Sequence, residues 1–542
     1  MNSSRLNQAT RRYFWYGIIG AALFFFLQII PSAPGIAGQT ETPQPISREQ
    51  ALEAASSFSQ QQFQTLPQTS RAVHQADRQM IGYLAKEKLT KTFDEGAGRK
   101  IPVDLWQVTQ NFEDGRRLIV DIGMTSGDVV GWRHLLKPAG GLEKKEALLG
   151  TELDEAIQLK ADQLGLGPLK RVQSDGDDEA NSARYEVTGI TIGEARLFVT
   201  ATGVKSESDV LLTRFQAQYE APAAYNAYTE KQDQLASTLS LLGNLLPSGI
   251  MLILAVIYAI AMRRFTSFRR GWTISLIFLI FYAINNFNML DGLRAMYGDL
   301  ANAEAAVMVQ LVIMLFLTLI MALSAYFSLV AGDGLWRAQG RPLWTTGSEP
   351  GFGSEAWSSM KLAYVLAFVL LGLQTLILGG LSAATGAWST TDVSQSPYNT
   401  GALWLMPLLA WCAAIQEEAV FRLFGVGLLM KWLKNPFIAS LIPTVIWALG
   451  HVSYPIYPST TRLIELTILG LLFCYIFLKF GFFTAVFTHA IMNSLLMSVP
   501  LFLSDQPLEV TAAIVYVAAP ALVAWLMRRY GASRMRQPFA PM

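Results

Sequence analysis

The chain has 542 residues, 52% of them hydrophobic and only 15% charged, with a net charge of +1. This excludes an ordinary soluble globular chain, a single domain of typical size and, for want of a basic stripe, a nucleic-acid partner. The only two cysteines, Cys412 and Cys474, stand in apolar runs, which excludes a disulfide scaffold. The near-neutral total hides an asymmetry. Residues 31–239 carry 22 Lys+Arg against 29 Asp+Glu, and residues 240–542 carry 17 against 12.

The first element is an apolar stretch, residues 14–30, preceded by Arg5, Arg11 and Arg12. It reads as a membrane anchor or a signal segment, and the small residues 33–38 permit cleavage. With the basic end held inside, residues 31–239 are exported. This segment reads as an α+β domain. Residues 47–63 open with a Ser-x-x-Gln capping pattern and continue as a helix. Strands follow at 105–111, 117–123 and 129–135, with turns at Asp114-Gly115 and Gly127-Asp128. The order then repeats, as a helix at 152–164 and strands near 184–190, 195–202 and 209–219. A helix and a three-stranded meander, given twice, is similar to the PepSY-type modules found outside bacterial membranes. That resemblance implies a regulatory or binding domain with a ligand yet to be named.

Beyond residue 239 apolar runs come in series, near 241–262, 272–290, 305–330, 362–384, 402–430, 437–453, 463–480, 482–502 and 510–527. Each approaches the roughly 20 residues that cross the hydrocarbon. Arginine and lysine cluster at 263–270, in 331–361, at Lys431 and Lys434, at Lys479 and at 528–536. Asp291, Asp299, Asp392, Asp505 and Glu509 occupy the alternate loops. The positive-inside rule then predicts an α-helical polytopic membrane protein of about ten spans, with an extracytoplasmic α+β domain between spans 1 and 2. Both termini are cytoplasmic and the membrane is a bacterial plasma membrane. The chain divides into residues 1–30 (anchor or signal), 31–239 (extracytoplasmic domain), 240–360 (accessory helices), 361–502 (catalytic core) and 503–542 (last helix and basic tail).

A charge inside the hydrocarbon costs several kcal/mol, so ionisable residues in spans mark function. Those in the predicted spans are Glu417, Glu418, Arg422, His451, Glu465 and His489, with Asn493 beside them. Glu418 and Arg422 are i, i+4 and pair on one helix face, while Glu417 projects about 100° away. His489 and Asn493 repeat that spacing, as do Trp447 and His451. A buried carboxylate is suited to take a proton from water, an imidazole to orient it or bind a metal, and an amide to stabilise an oxyanion. Glu465, at a span end, is read as interfacial, and His74 and His134 as surface residues. Gly379-Gly380 is read as close helix packing, and Trp388, Tyr398 and Trp404 as interface anchors.

The three motifs Glu417-Glu418-Ala419-Val420-Phe421-Arg422, Trp447 to His451 and His489 to Asn493, in this order on successive helices, resemble the CPBP (Abi) family, which includes the CAAX prenyl endoproteases. The resemblance covers about residues 360–502, with Trp447 standing where Phe is common. It implies an intramembrane endopeptidase acting on a membrane protein or lipidated peptide within the lipid bilayer. By position, Glu417 with His451 activates water, Glu418 and Arg422 form a structural pair, and His489 and Asn493 stabilise the oxyanion. The same resemblance allows Zn2+ held by Glu417, His451 and His489, or a metal-free water. The alternatives are a catalytically inactive receptor, scaffold or immunity-type protein, and a transporter, which the want of an inverted repeat disfavours.

Overall fold

The computed structural model describes residues 3–32, 44–135, 146–172, 182–206, 209–298, 300 and 302–535. The small-residue stretch 33–38, Asp299 and Arg536 lie outside them. Among the described residues, seven helices are long and apolar enough to cross a bilayer: Ser3–Ile29, Ala223–Ala261, Ala303–Ala338, Phe352–Thr385, Thr460–Phe480, Phe482–Phe502 and Pro507–Ser533. Trp272–Asn288 and Leu290–Tyr297, bent by 45°, make an eighth if they are one span. The other two predicted spans fall short for a physical reason. The run 402–430 is interrupted by Glu417, Glu418 and Arg422, and 437–453 yields only the 14-residue helix Pro436–Leu449. These are the segments that carry the candidate site, so their polarity and shortness are local departures from a lipid-spanning pattern.

The first helix is an integral part of the bundle. It packs along Phe352–Thr385 with its glycines in backbone contact: a Cβ at Gly20 would lie 2.2 Å from the Phe368 carbonyl oxygen, and one at Gly372 2.5 Å from the Gly20 Cα. Small residues let helix backbones approach this closely where no hydrophobic force favours one helix pair over lipid. Thr375 Oγ1 adds a 2.9 Å hydrogen bond to Gln28 Oε1. Gly379 and Gly380, expected to pack closely, face open space instead.

The α+β part is one antiparallel sheet built from β1 (Thr69–Ala76), β2 (Asp104–Asn111), β3 (Arg117–Gly123), β4 (Val129–Leu135), β5 (Glu146–Ala147), β6 (Leu169–Val172), β7 (Ala183–Ile192), β8 (Ala195–Ser206) and β9 (Asp209–Glu220). The strand order is β1-β2-β3-β4-β9-β8-β7-β6, with β5 on β8. Helix Arg48–Phe63 precedes β1–β4 and helix Gly150–Gln163 precedes β6–β9, so the repeated order expected from the sequence is present, with an extra strand in each half. The halves join where Trp132 pairs with Phe215 and Arg133 with Arg214. Trp132 stacks on Phe215 at 5.4 Å and is covered by Phe58 at 5.0 Å. The first helix starts at the predicted capping box, Ser47 with Gln50.

Two histidines expected at the surface are not there. His74 is buried, with Nδ1 2.9 Å from Ser396 Oγ and Nε2 3.1 Å from Asp104 Oδ1. His134 lies under Phe63, both ring nitrogens buried without a hydrogen-bond partner among the described residues. Contacts at His74 fasten the sheet to one end of the helix bundle: Asn399 Oδ1 accepts from its backbone N–H at 2.7 Å, and nearby Arg48 reaches Asp291 at 2.7 Å. At the far end of helix Ala303–Ala338, buried Asp333 binds Arg270 at 3.0 Å and Arg337 at 2.7 Å. The long helix from Ala223 to Ala261 joins the two parts. Its 39 residues span about 58 Å at 1.5 Å per residue, and only its second half is strongly apolar.

Candidate active site

The chain enters the site through a clamp. Asn288 accepts from Ala402 N–H at 2.7 Å and donates to the Ala402 carbonyl at 3.0 Å, setting the start of helix Leu408–Glu417. That helix is α-helical to Glu417 and then widens into a π-helical stretch, Glu418–Val426. The expected uninterrupted α-helix is therefore corrected: the motif straddles a change of helix type, a feature frequent at functional sites. Trp336 Nε1 donates to the Leu423 carbonyl of this stretch at 2.9 Å.

The expected pair forms despite the wider turn. Arg422 Nη1 lies 3.1 Å from Glu418 Oε1, both side chains fully buried. The guanidinium sits 4.4 Å from the Trp447 ring centroid and 5.3 Å from that of Phe473, so aromatic faces hold its charge in an apolar setting. Glu418 Oε1 also lies 2.9 Å from His489 Nδ1. A carboxylate accepts only, so Nδ1 carries the proton and Nε2 is turned the other way. Glu418 thus orients a second residue as well as pairing with Arg422.

Glu417 points elsewhere, as expected. Trp447 Nε1 donates to its Oε2. His489 Nε2 lies 3.8 Å from Oε2 and His451 Nε2 lies 3.9 Å from Oε1. His451 donates from Nδ1 to the Trp447 carbonyl at 3.0 Å, which fixes its tautomer by the same reasoning. Glu417 and His451 keep 16% and 20% of their side-chain surface, against 5% for His489, so these two form the accessible part of the cluster. Asn493 is half-buried one turn beyond His489, and its side chain makes no hydrogen bond among the described residues. Five of the six predicted residues are brought together by these contacts, and Asn493 is near only through its helix.

Trp447 has a polar role that its reading as one bulky aromatic in place of another did not disclose. Phe in its place has no N–H to give Glu417. Glu465 is likewise no interfacial residue: it is fully buried, 2.5 Å from Arg462 and 2.7 Å from Gln374. The i, i+3 spacing of Arg462 and Glu465 in an apolar helix is the signal that marks it.

The donor set has the residue types a zinc site takes. The carboxylate presents a different oxygen to each imidazole, and among the described residues no group of three His, Cys, Asp or Glu side chains is placed to hold a metal ion.

Beyond His451 the chain leads to the sheet domain. Strand β10 (Trp388–Ser389) pairs with β11 (Ile456–Tyr457). Arg78 Nη2 donates to Tyr457 Oη at 2.7 Å, and Tyr457 Oη to Asp233 Oδ1 at 2.7 Å. Ser459 binds Gln232 through N–H and Oγ, each at 3.0 Å. Trp388 and Tyr398, read as interface anchors, pack instead on Tyr457 and on His74.

Comparison with known proteins agrees with the motifs. Residues 399–495 match the family model described as type II CAAX prenyl endopeptidase Rce1-like, and this stretch encloses all six predicted site residues. An 89-residue segment is 29% identical to the sporulation-killing factor biosynthesis protein SkfC of Bacillus subtilis (strain 168), covering 16% of this chain and 18% of that relative. No solved structure matches the chain. Over residues 399–495 the chain is thus similar to the Rce1-like CAAX prenyl endopeptidases.

Proposed function

We propose that the protein is an intramembrane endopeptidase that hydrolyses a peptide bond of a membrane protein or lipidated peptide with a water activated by Glu417. One observation carries this reading. Both imidazoles spend their Nδ1–H on fixed acceptors and turn their Nε2 lone pairs toward one carboxylate, at 3.8 and 3.9 Å. Those separations are too long for direct hydrogen bonds, so the three groups are free to act on a third.

In this mechanism Glu417, steadied by the Trp447 indole, takes a proton from water while His451 accepts the second O–H. The oxygen adds to the scissile carbonyl carbon. The oxyanion is met by Asn493 and by His489, which enters the cycle with a second proton taken from solvent on Nε2 and keeps it throughout, Glu418 balancing the charge. Glu417 then returns its proton to the amide nitrogen as the C–N bond breaks. No step is routed through zinc.

In the same reading, residues 408–433 and 436–449 and the bent pair complete about ten crossings. The sheet domain is extracytoplasmic and ligand-binding in the manner of PepSY-type modules, and both termini face the cytoplasm of a bacterium. The placement of the arginine-rich loops supports this.

The test is cleavage of a transmembrane and lipidated peptide library in proteoliposomes, by wild type, Glu417→Gln and His489→Ala, with and without a zinc chelator. Loss of cleavage in both variants is expected, with the chelator without effect. Chelator sensitivity restored by added zinc would replace the metal-free step. A folded wild type that cleaves nothing would favour the receptor or scaffold alternative.

A further inference from the structure

Outside the motifs, a line of side chains runs from the middle of the bundle to His451. Gln374, on helix Phe352–Thr385, donates from Nε2 to Glu465 Oε1 at 2.7 Å, and both residues are buried. The second oxygen of Glu465 accepts from Arg462 Nη1 at 2.5 Å. The Arg462 guanidinium lies 5.1 Å from the centroid of the Tyr454 ring. Tyr454 in turn stacks on His451, with centroids 5.6 Å apart and 24° between the planes.

A fully buried carboxylate is costly to keep unless it is held in a defined geometry, and here both of its oxygens are used. His451 needs such support. It lies just beyond the C-terminal end of helix Pro436–Leu449, with its N–H bonded to the Ala448 carbonyl at 3.0 Å, and its ring has one hydrogen bond through Nδ1 and an edge contact with the Trp447 ring at 5.2 Å, which leave one face of the imidazole to be held. The Tyr454 ring, nearly parallel to the imidazole, covers that face.

We infer that Tyr454, Arg462 and Glu465 are positioning residues that hold the His451 ring with Nε2 toward Glu417. This rests on the peptidase reading for its kinetic consequence but not for its structural one. Glu465 anchors Arg462, Arg462 holds the Tyr454 ring by its charge, and Tyr454 fixes the plane of the imidazole. The stack needs an aromatic ring and not the phenol hydroxyl.

The test compares wild type with Tyr454→Ala, Tyr454→Phe, Glu465→Gln and the double variant Tyr454→Ala/Glu465→Gln, in the intact protein in lipid. One arm is cleavage of the best library peptide. Tyr454→Ala and Glu465→Gln are expected to lower kcat by about tenfold to a hundredfold with KM little changed, as for a misplaced catalytic group. Tyr454→Phe should keep wild-type kcat, and the double variant should be no worse than Tyr454→Ala alone. The other arm needs no activity. The chain has only four histidines, so modification of each by diethyl pyrocarbonate can be followed by mass spectrometry. His451 should react several-fold faster in Tyr454→Ala and in Glu465→Gln, with buried His74 and His489 unchanged. The inference is overturned if His451 reactivity stays at the wild-type value in both variants, or if Tyr454→Phe is as damaged as Tyr454→Ala. If wild type cleaves no peptide, the peptidase reading fails, and the reactivity arm alone decides whether Tyr454 and Glu465 hold His451.

Discussion

The indole N–H of Trp447 donates to the Glu417 carboxylate, while the face of the same ring lies 4.4 Å from the Arg422 guanidinium. One side chain therefore touches both the proposed base and the buried ion pair behind it. Trp447→Phe keeps an aromatic face for Arg422 and removes the donor. A hydrogen bond to a charged group contributes about 1.5–3 kcal/mol, so kcat should fall roughly tenfold to a hundredfold. Steady-state cleavage kinetics check this. An unchanged kcat would show that the indole only packs.

Glu417 and Glu418 are neighbours with opposite expected phenotypes. Glu417 is partly exposed and makes no ion pair below 3.8 Å, so Glu417→Gln should abolish cleavage and leave thermal unfolding near wild type. Glu418→Gln strands Arg422 as a buried unpaired charge, which costs about 3–5 kcal/mol. It should lower the unfolding midpoint in detergent markedly and disorient His489 as well. Equal midpoints for the two variants would contradict this division of roles.

The first helix should behave as structure and not as a removable leader. Gly20→Val forces a side chain into the Phe368 backbone, and overpacking of this kind costs about 1–3 kcal/mol. The variant should show a lower unfolding midpoint and faster overall proteolysis. Gly379→Val, which meets open space, is the matched control and should resemble wild type.

The sheet domain should weaken in acid through His134. Burial, helped by the Arg116 cation and opposed by Asp114, lowers its pKa from 6.5 to about 4. The folded form thus disfavours the proton that the unfolded chain accepts. The His134 contribution is fully present above pH 6.5 and is lost progressively as pH falls from there toward 4, by up to about 1.4 kcal/mol per pH unit. Amide exchange in β4 of the intact protein should quicken over that window. His134→Phe should flatten the dependence, and a slope unchanged by that substitution would place the acid sensitivity elsewhere.

Local spacing by itself determined a good deal of this protein. The capping box at Ser47, strands β2–β4 and β7–β9, the apolar runs, and the three motifs with Glu417, Glu418, Arg422, His451 and His489 all follow from patterns within a few residues. Strands β1 and β6 escaped because β1 alternates weakly and β6 is only four residues long. What the tertiary structure alone decided is which atoms meet. Trp447 on Glu417, His489 on Glu418, the burial of Glu465 and His74, and the fit of Gly20 into Gly372 each depend on residues tens to hundreds of positions apart. Hydropathy and helical periodicity report how apolar a segment is and which side of a helix a residue occupies. They carry no information on which neighbour covers that side, and in a bilayer, where lipid and protein are equally apolar, that choice is made by close packing and buried hydrogen bonds.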